Sequence, residues 1–148
     1  MGSALKRGKV EARDYQVAIA ESILAKGNTL VIMPTALGKT IVAVLVMAKL
    51  VEKCVAENKK MLFLTPTRPL AVQQAERFRE MLDLQGREVK VMSGETKPEK
   101  RAEEWGEQKT LIYCATPQTV EYDVLASRMG LENFSLAVFD EAHRAVKE

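Results

Sequence analysis

The sequence predicts an α/β three-layer sandwich with a mostly parallel sheet, and three observations carry that prediction. Five short β-rich runs, residues 29–33, 61–65, 89–92, 111–115 and 136–139, are separated by helical patterns. Four of the five (the run 89–92 being the exception) are nearly all apolar, the composition of strands buried on both faces of a parallel sheet. The segment Ile41 to Met47 is apolar all round, which predicts a central, buried helix.

The elements follow in order. Tyr15, Ile19 and Ile23 recur every four residues and predict an amphipathic helix ahead of the first strand, Thr29 to Met33. The buried helix leads to the strand Met61 to Thr65. Ala71, Ala75, Phe78 and Leu82 then line one face of a helix that exits at Gln85-Gly86. After the strand Val89 to Met92, the polar stretch Gly94 to Gln108 mixes both charge signs and reads as a solvated helix. Its start, Thr96-Lys97-Pro98-Glu99, has the capping-box form with Pro98 at the first helical position. The strand Leu111 to Ala115 is followed by Thr116-Pro117, another N-cap with proline, and by an exit at Met129-Gly130. The strand Leu136 to Phe139 is last, and crossovers between parallel strands are expected to be right-handed.

At 148 residues the chain has room for one domain. Its 22 Lys and Arg against 20 Asp and Glu give a net charge of +2, which excludes a histone-like arm or an acidic tail but not a local nucleic-acid patch. Hydrophobic residues at 47% and charged residues at 28% are those of a globular chain rather than a disordered one. No apolar run reaches the ~20 residues that span a bilayer. Met1 to Lys9 lacks the apolar core of a secretory signal; residues 1–9 read as an extension, Met1-Gly2-Ser3 having the form of an expression scar. Cys54 and Cys114 lie in apolar stretches with no CxxC spacing and read as buried, reduced thiols of a cytoplasmic protein.

Between the first strand and the apolar helix lies Pro34-Thr35-Ala36-Leu37-Gly38-Lys39-Thr40. A tight loop entering a helix at Gly-Lys-Thr cradles phosphate, because loop N–H groups and the helix N-terminus present positive charge to anionic oxygens. Lys39 is placed to reach the β- and γ-phosphates and Thr40 to ligate Mg²⁺. The strict GxxxxGK[ST] pattern is not met, since its first Gly falls on Met33. A chance Gly-Lys-Thr at a strand–helix junction is the competing reading.

The run Leu136 to Phe139 ends in Asp140-Glu141-Ala142-His143. Ligands bind at the carboxyl ends of strands in open α/β sheets. Asp140 is therefore a candidate Mg²⁺ ligand, Glu141 a candidate base for an attacking water, and His143 a candidate sensor of the γ-phosphate. A solvated turn is the competing reading, and it weakens once both motifs are seen to supply halves of one Mg²⁺–nucleotide site.

At this point the chain resembles the N-terminal RecA-like (P-loop NTPase) domain of superfamily 2 helicases. Asp140 to His143 reads DEAH, and Pro34 to Thr40 is similar to the PTGxGKT form of that family, with Ala36 where most members carry Gly. The resemblance implies ATP and Mg²⁺ as cofactors. It implies adenine recognition by Gln16, with Arg13, in the Arg13-Asp14-Tyr15-Gln16 segment. It also implies nucleic-acid contacts at Thr67 and Arg68, at Ser93 and Gly94, and at Thr116, Gln118 and Thr119, residue types that hold phosphates without reading bases. The fuller stretches 66–74, 93–105 and 138–146 look most like the archaeal Hef-type helicase–nuclease and its relative, the Fanconi anaemia group M helicase.

That resemblance implies a DNA translocase on forked or branched DNA, cytoplasmic and nucleoid-associated in an archaeon. The related Dicer and RIG-I-type segments keep an RNA helicase open, and Ala36 keeps a non-catalytic nucleotide-binding module open. By the same resemblance, residues 10–148 are a partial RecA-like domain, ending before the Ser-Ala-Thr segment and before the second domain with its arginine fingers. The Ser-Ala-Thr strand of that family lies between the first strand and the Asp-Glu strand. A sheet from this chain is thus expected either to have a central gap or to re-pair those two strands, with strand swapping or self-association as a consequence.

Overall fold

A computed structural model of the chain describes residues 28–33 and 39–140. Its elements are β1 (Thr29–Met33), α1 (Lys39–Glu57), β2 (Lys60–Leu64), α2 (Arg68–Met81), β3 (Glu88–Val91), α3 (Pro98–Trp105), β4 (Thr110–Ala115), α4 (Pro117–Leu125), a 3₁₀ turn (Leu131–Asn133) and β5 (Phe134–Asp140). The five strands form one parallel sheet in the order β1-β5-β2-β4-β3. The chain steps outward from β1 through β2 to β3, then returns through β4 to β5. With right-handed crossovers, outward and returning steps put their helices on opposite faces. The core divides that way. Residues of α1 and α2 pack with Phe63, Ile112, Leu136 and Val138, while Trp105 of α3 and Val120 of α4 pack with Leu62, Tyr113, Ala137 and Phe139. The alternation of Leu62 and Phe63 between the two cores is the two-residue period of a strand covered on both sides.

The three apolar runs in the sheet interior are buried along their whole lengths as β2, β4 and β5. The fourth, β1, departs from the expectation. It is an edge strand paired to β5 alone among the described strands, and Leu30, Val31 and Ile32 are half-buried. β1 and β5 lie side by side, from Thr29 opposite Leu136 to Met33 opposite Asp140, which is the re-paired of the two expected arrangements.

α1 also departs from expectation. Ala43, Met47, Val51 and Cys54 form its inward stripe and are almost completely buried, but Ile41, Val42 and Leu45 are 48%, 44% and 59% exposed. A helix in an outer layer offers only one stripe to the sheet, so an all-apolar sequence does not bury all round.

Helix boundaries shift for local reasons. α2 ends at Met81 with an extended Leu82, earlier than the expected exit, and Gln85 and Gly86, both at positive φ, form the turn into β3 instead. α4 ends at Leu125, with Ser127 at positive φ, and Gly130 opens the 3₁₀ turn rather than closing a helix. Pro98 does occupy the first turn of α3, but the N-cap is Lys97 with no side-chain cap bond, so the Thr96 capping box is not formed. The Thr96 carbonyl instead accepts from Arg101 Nη1 at 2.6 Å. α3 is not simply solvated either, because Arg101 and Trp105 are buried.

Cys54 and Cys114 are free and buried, and burial pushes both thiols above their ordinary range, leaving them unreactive. No helix among the described residues is long and apolar enough to cross a membrane.

Candidate functional site

Every described candidate residue lies at the carboxyl edge of the sheet or in the first residues beyond it. Parallel pairing makes this so, since all strands then end on one side. Met33 stands opposite Asp140 in the β1–β5 register, and Leu64 opposite Phe139 in the β2–β5 register. Two backbone bonds extend the ladder past the strand ends, Thr65 N–H to Ala115 O at 3.0 Å and Met92 N–H to Cys114 O at 2.9 Å. The segments after β2, β4 and β3 therefore emerge side by side in that order, the first of them next to Asp140.

Asp140 is 2% exposed and accepts a 2.9 Å hydrogen bond on Oδ2 from the hydroxyl of Thr65, itself 1% exposed. A buried carboxylate at a strand terminus, its rotamer fixed by a neighbouring strand's hydroxyl, is a hard oxygen donor suited to Mg²⁺. Lys39 and Thr40 are the first two residues of α1, whose first turn holds no acidic side chain to offset the positive end of the helix. The geometry thus brings the start of α1 and Asp140 to one edge. Arg13, Gln16, Pro34, Thr35, Ala36, Leu37, Gly38, Glu141 and His143 lie outside the described residues, as do the side chains of Lys39 and Thr40.

The candidate nucleic-acid residues form a continuous strip. Thr67 is the N-cap of α2, its hydroxyl accepting from Leu70 N–H, and Arg68 Nε lies 3.7 Å from Glu95 Oε1 across to the turn after β3. In that turn Ser93 Oγ accepts from Glu95 N–H at 3.0 Å. Thr116 caps α4 by accepting from Thr119 N–H, and the two hydroxyls lie 3.2 Å apart. Gly94, Gln118 and Thr119 line one groove between the turn and α4, with Arg101 below them. The hydroxyls of Thr67 and Thr116 serve as caps and Thr119 is buried, while Thr67, Arg68, Gly94 and Gln118 are the exposed members of the strip. The helices α2 and α4 both begin in this strip with no acidic residue in the first turn, which favours anions.

Sequence reasoning missed two groups. Thr65 sat inside a quoted segment but was given no role; a hydroxyl one residue past a buried strand was the available signal. The second is a buried ionic cluster behind the groove. Asp123, completely buried, accepts from Arg101 Nε and Nη2, each at 2.8 Å, from Trp105 Nε1 at 2.8 Å and from Arg128 Nη1 at 3.0 Å. Burial opposes ionisation of Asp123, but the donors of Arg101, Trp105 and Arg128 outweigh it and hold the carboxyl below the usual range. The signal was a lone Trp four residues after an Arg on an otherwise charged helix.

The family model described as DEAD/DEAH box helicase matches residues 13–148. A Methanocaldococcus jannaschii protein, assigned by its name to the ATP-dependent RNA helicases, is 39% identical over 139 residues, 94% of this chain and 17% of its own length. The ATP-dependent DNA helicase MPH1 of Pyricularia oryzae is 40% identical over 133 residues, 90% of this chain and 12% of its own length. The crystal structure of the Pyrococcus furiosus Hef helicase domain superposes with a TM-score of 0.61 at 40% identity, covering 88% of this chain and 26% of that one. This chain thus spans between about a tenth and a quarter of the proteins it matches. The match across residues 13–148, with the sheet shared with the Hef structure, places the chain in the DEAD/DEAH box helicase family, among helicases of the Hef and Mph1 type.

Proposed function

We propose that the chain is the ATP-binding portion of an ATP-dependent DNA helicase or translocase acting on forked or branched DNA. The pairing of Met33 with Asp140 supports this reading most directly, since it brings the ends of β1 and β5, the strands that lead into the two motifs, to one sheet edge. Lys39 binds the β- and γ-phosphates, Thr40 and Asp140 hold the metal, and Glu141 orients and deprotonates the attacking water. His143 senses the γ-phosphate, while Gln16 and Arg13 hold the adenine. Pro34 to Gly38 wrap the phosphates, with backbone N–H groups donated from Thr35 to Gly38. Mg²⁺, when bound, supplies positive charge shared between the phosphate oxygens.

The chain covers 26% of the Hef helicase-domain structure, which supports a further part of the proposal: these 148 residues alone bind Mg²⁺–ATP weakly and do not unwind DNA. A complete motor needs a second RecA-like domain to close on the nucleotide and supply an arginine finger, a group worth ~10³–10⁵ in rate. A strand-displacement assay on a forked duplex tests this directly; ATP-dependent unwinding by the isolated chain would sink it. We assign self-association to the edge of β1 that no described strand covers, and concentration-dependent light scattering reads it out.

The name of the Methanocaldococcus jannaschii relative favours a second reading, an RNA helicase. Stimulation of the full-length ATPase by branched DNA but not by double-stranded RNA separates the two.

Thr65 yields a specific expectation. Thr65→Val keeps the shape and deletes the donor to Asp140. It should weaken Mg²⁺-dependent nucleotide binding roughly tenfold, the lower end for loss of a group orienting a metal ligand. Calorimetric titration at several Mg²⁺ concentrations checks it; an unchanged Mg²⁺ dependence would remove Thr65 from the site.

A further inference from the structure

The Arg101–Asp123 pair crosses between two elements that meet at the groove. Arg101 belongs to α3, yet its three nitrogens reach in two directions: Nε and Nη2 to Asp123 on α4, and Nη1 to the Thr96 carbonyl in the turn that also contains Ser93 and Gly94. Trp105, one turn along α3, donates to the same carboxylate, and its ring packs at 4.7 Å from Tyr113 on β4. Arg128, beyond the end of α4, donates to the other carboxylate oxygen. One guanidinium thus ties the Ser93–Gly94 turn to the helix that begins at Thr116-Pro117. Bidentate Arg–carboxylate geometry fixes distance and angle as well as charge. Neither Arg101 nor Asp123 is exposed enough to touch a ligand, at 2% and 0%.

We infer that Arg101 and Asp123 are positioning residues, a rigid brace that sets the spacing between the Ser93–Gly94 turn and the α4 N-terminus so that both engage one nucleic-acid strand at once. The inference rests on the proposed nucleic-acid role of those two segments. Its physical content is effective concentration. Two weak phosphate contacts held at a fixed separation act as one site, because engaging the first places the second, whereas contacts on independently moving elements must each find the strand. The brace itself reads no base and carries no phosphate.

The test uses the whole chain and a fluorescently labelled oligothymidylate of about 20 nucleotides, long enough to cross a domain-sized groove. Affinity is measured by anisotropy well below the thermal transition of each variant. Asp123→Asn keeps the shape of the side chain and removes its charge. It is expected to weaken binding about tenfold, with contact loss and brace loss strongly non-additive. Ser93→Ala and Gln118→Ala are each expected to cost roughly three- to fivefold in the unaltered chain, and less than twofold on the Asp123→Asn background, where the two contacts no longer act together. Arg101→Lys, which retains charge and one bond, should recover part of the loss.

A group that merely holds the fold together would lower the melting temperature and leave the cost of Ser93→Ala unchanged; that result overturns the brace, as does unaltered affinity in a folded Asp123→Asn chain. If Asp123→Asn does not fold, Trp105→Phe removes one donor and keeps the ring. It must then weaken binding and shrink the Ser93→Ala effect, or the inference fails. No effect of Ser93→Ala and Gln118→Ala in the unaltered chain would overturn the nucleic-acid role of the segments, and the brace with it.

Discussion

Asp123→Ala is expected to destabilise the fold by roughly 3–5 kcal/mol, the cost of leaving one partner of a buried ion pair uncompensated. Arg101 would keep its guanidinium in the interior with only the Thr96 carbonyl to accept from it, and Trp105 Nε1 would lose its acceptor. For a chain of this length that corresponds to a fall in Tm of about 10 °C or more. Arg128→Gln is the internal control. The Arg128 side chain is 22% exposed and Asp123 retains its other donors, so the loss should stay below about 1 kcal/mol. The same cluster sets an acid limit. The Asp123 carboxyl titrates lower in the fold than in the unfolded chain, so its stabilisation is complete above the ordinary carboxylate range. It disappears as pH falls through the lowered value. The acid limb of an unfolding series should flatten in Asp123→Asn. A Tm of Asp123→Ala within a degree or two of the unaltered chain would mean that the pair contributes little.

The second large effect is catalytic. Glu141→Gln should reduce single-turnover ATP hydrolysis by about 10²–10⁴, the usual yield of a positioned general base. Excess protein over ATP confines the measurement to one turnover. Glutamine retains size and hydrogen bonding but accepts no proton, so nucleotide affinity should stay close to that of the unaltered chain. Equal hydrolysis by both proteins would assign the water to another group or favour a non-catalytic binding module.

Much of this fold was legible in the sequence because strands buried on both faces leave no polar position. The runs that became β2, β4 and β5 could be read within a residue or two for that reason. β1 looked the same in sequence, yet lies at an edge, since strand order is a property of the whole sheet. Ile41, Val42 and Leu45 misled in a similar way: apolar character says that a residue tolerates burial, and the layer it occupies decides whether it is buried. At the site, Asp140 and the start of α1 were found from motif chemistry, and the parallel sheet brings them to one edge. Thr65 and the Asp123 cluster were not found. Their roles depend on contacts 75 and 22 residues apart in sequence, and no local spacing encodes those. The Thr96 capping box failed for a different reason: α3 starts at Pro98 as expected, but Lys97 rather than Thr96 stands at its N-cap.

The central claim is that one sheet edge joins α1 and Asp140 into a Mg²⁺–nucleotide site. Calorimetric titration of the chain with a non-hydrolysable ATP analogue, with and without Mg²⁺, beside Asp140→Asn, tests it most directly. The expected result is Mg²⁺-dependent binding by the unaltered chain, and loss of the Mg²⁺ dependence in Asp140→Asn with the fold intact by circular dichroism. Equal Mg²⁺-dependent binding by the two proteins, or no nucleotide binding by the folded unaltered chain, would contradict it.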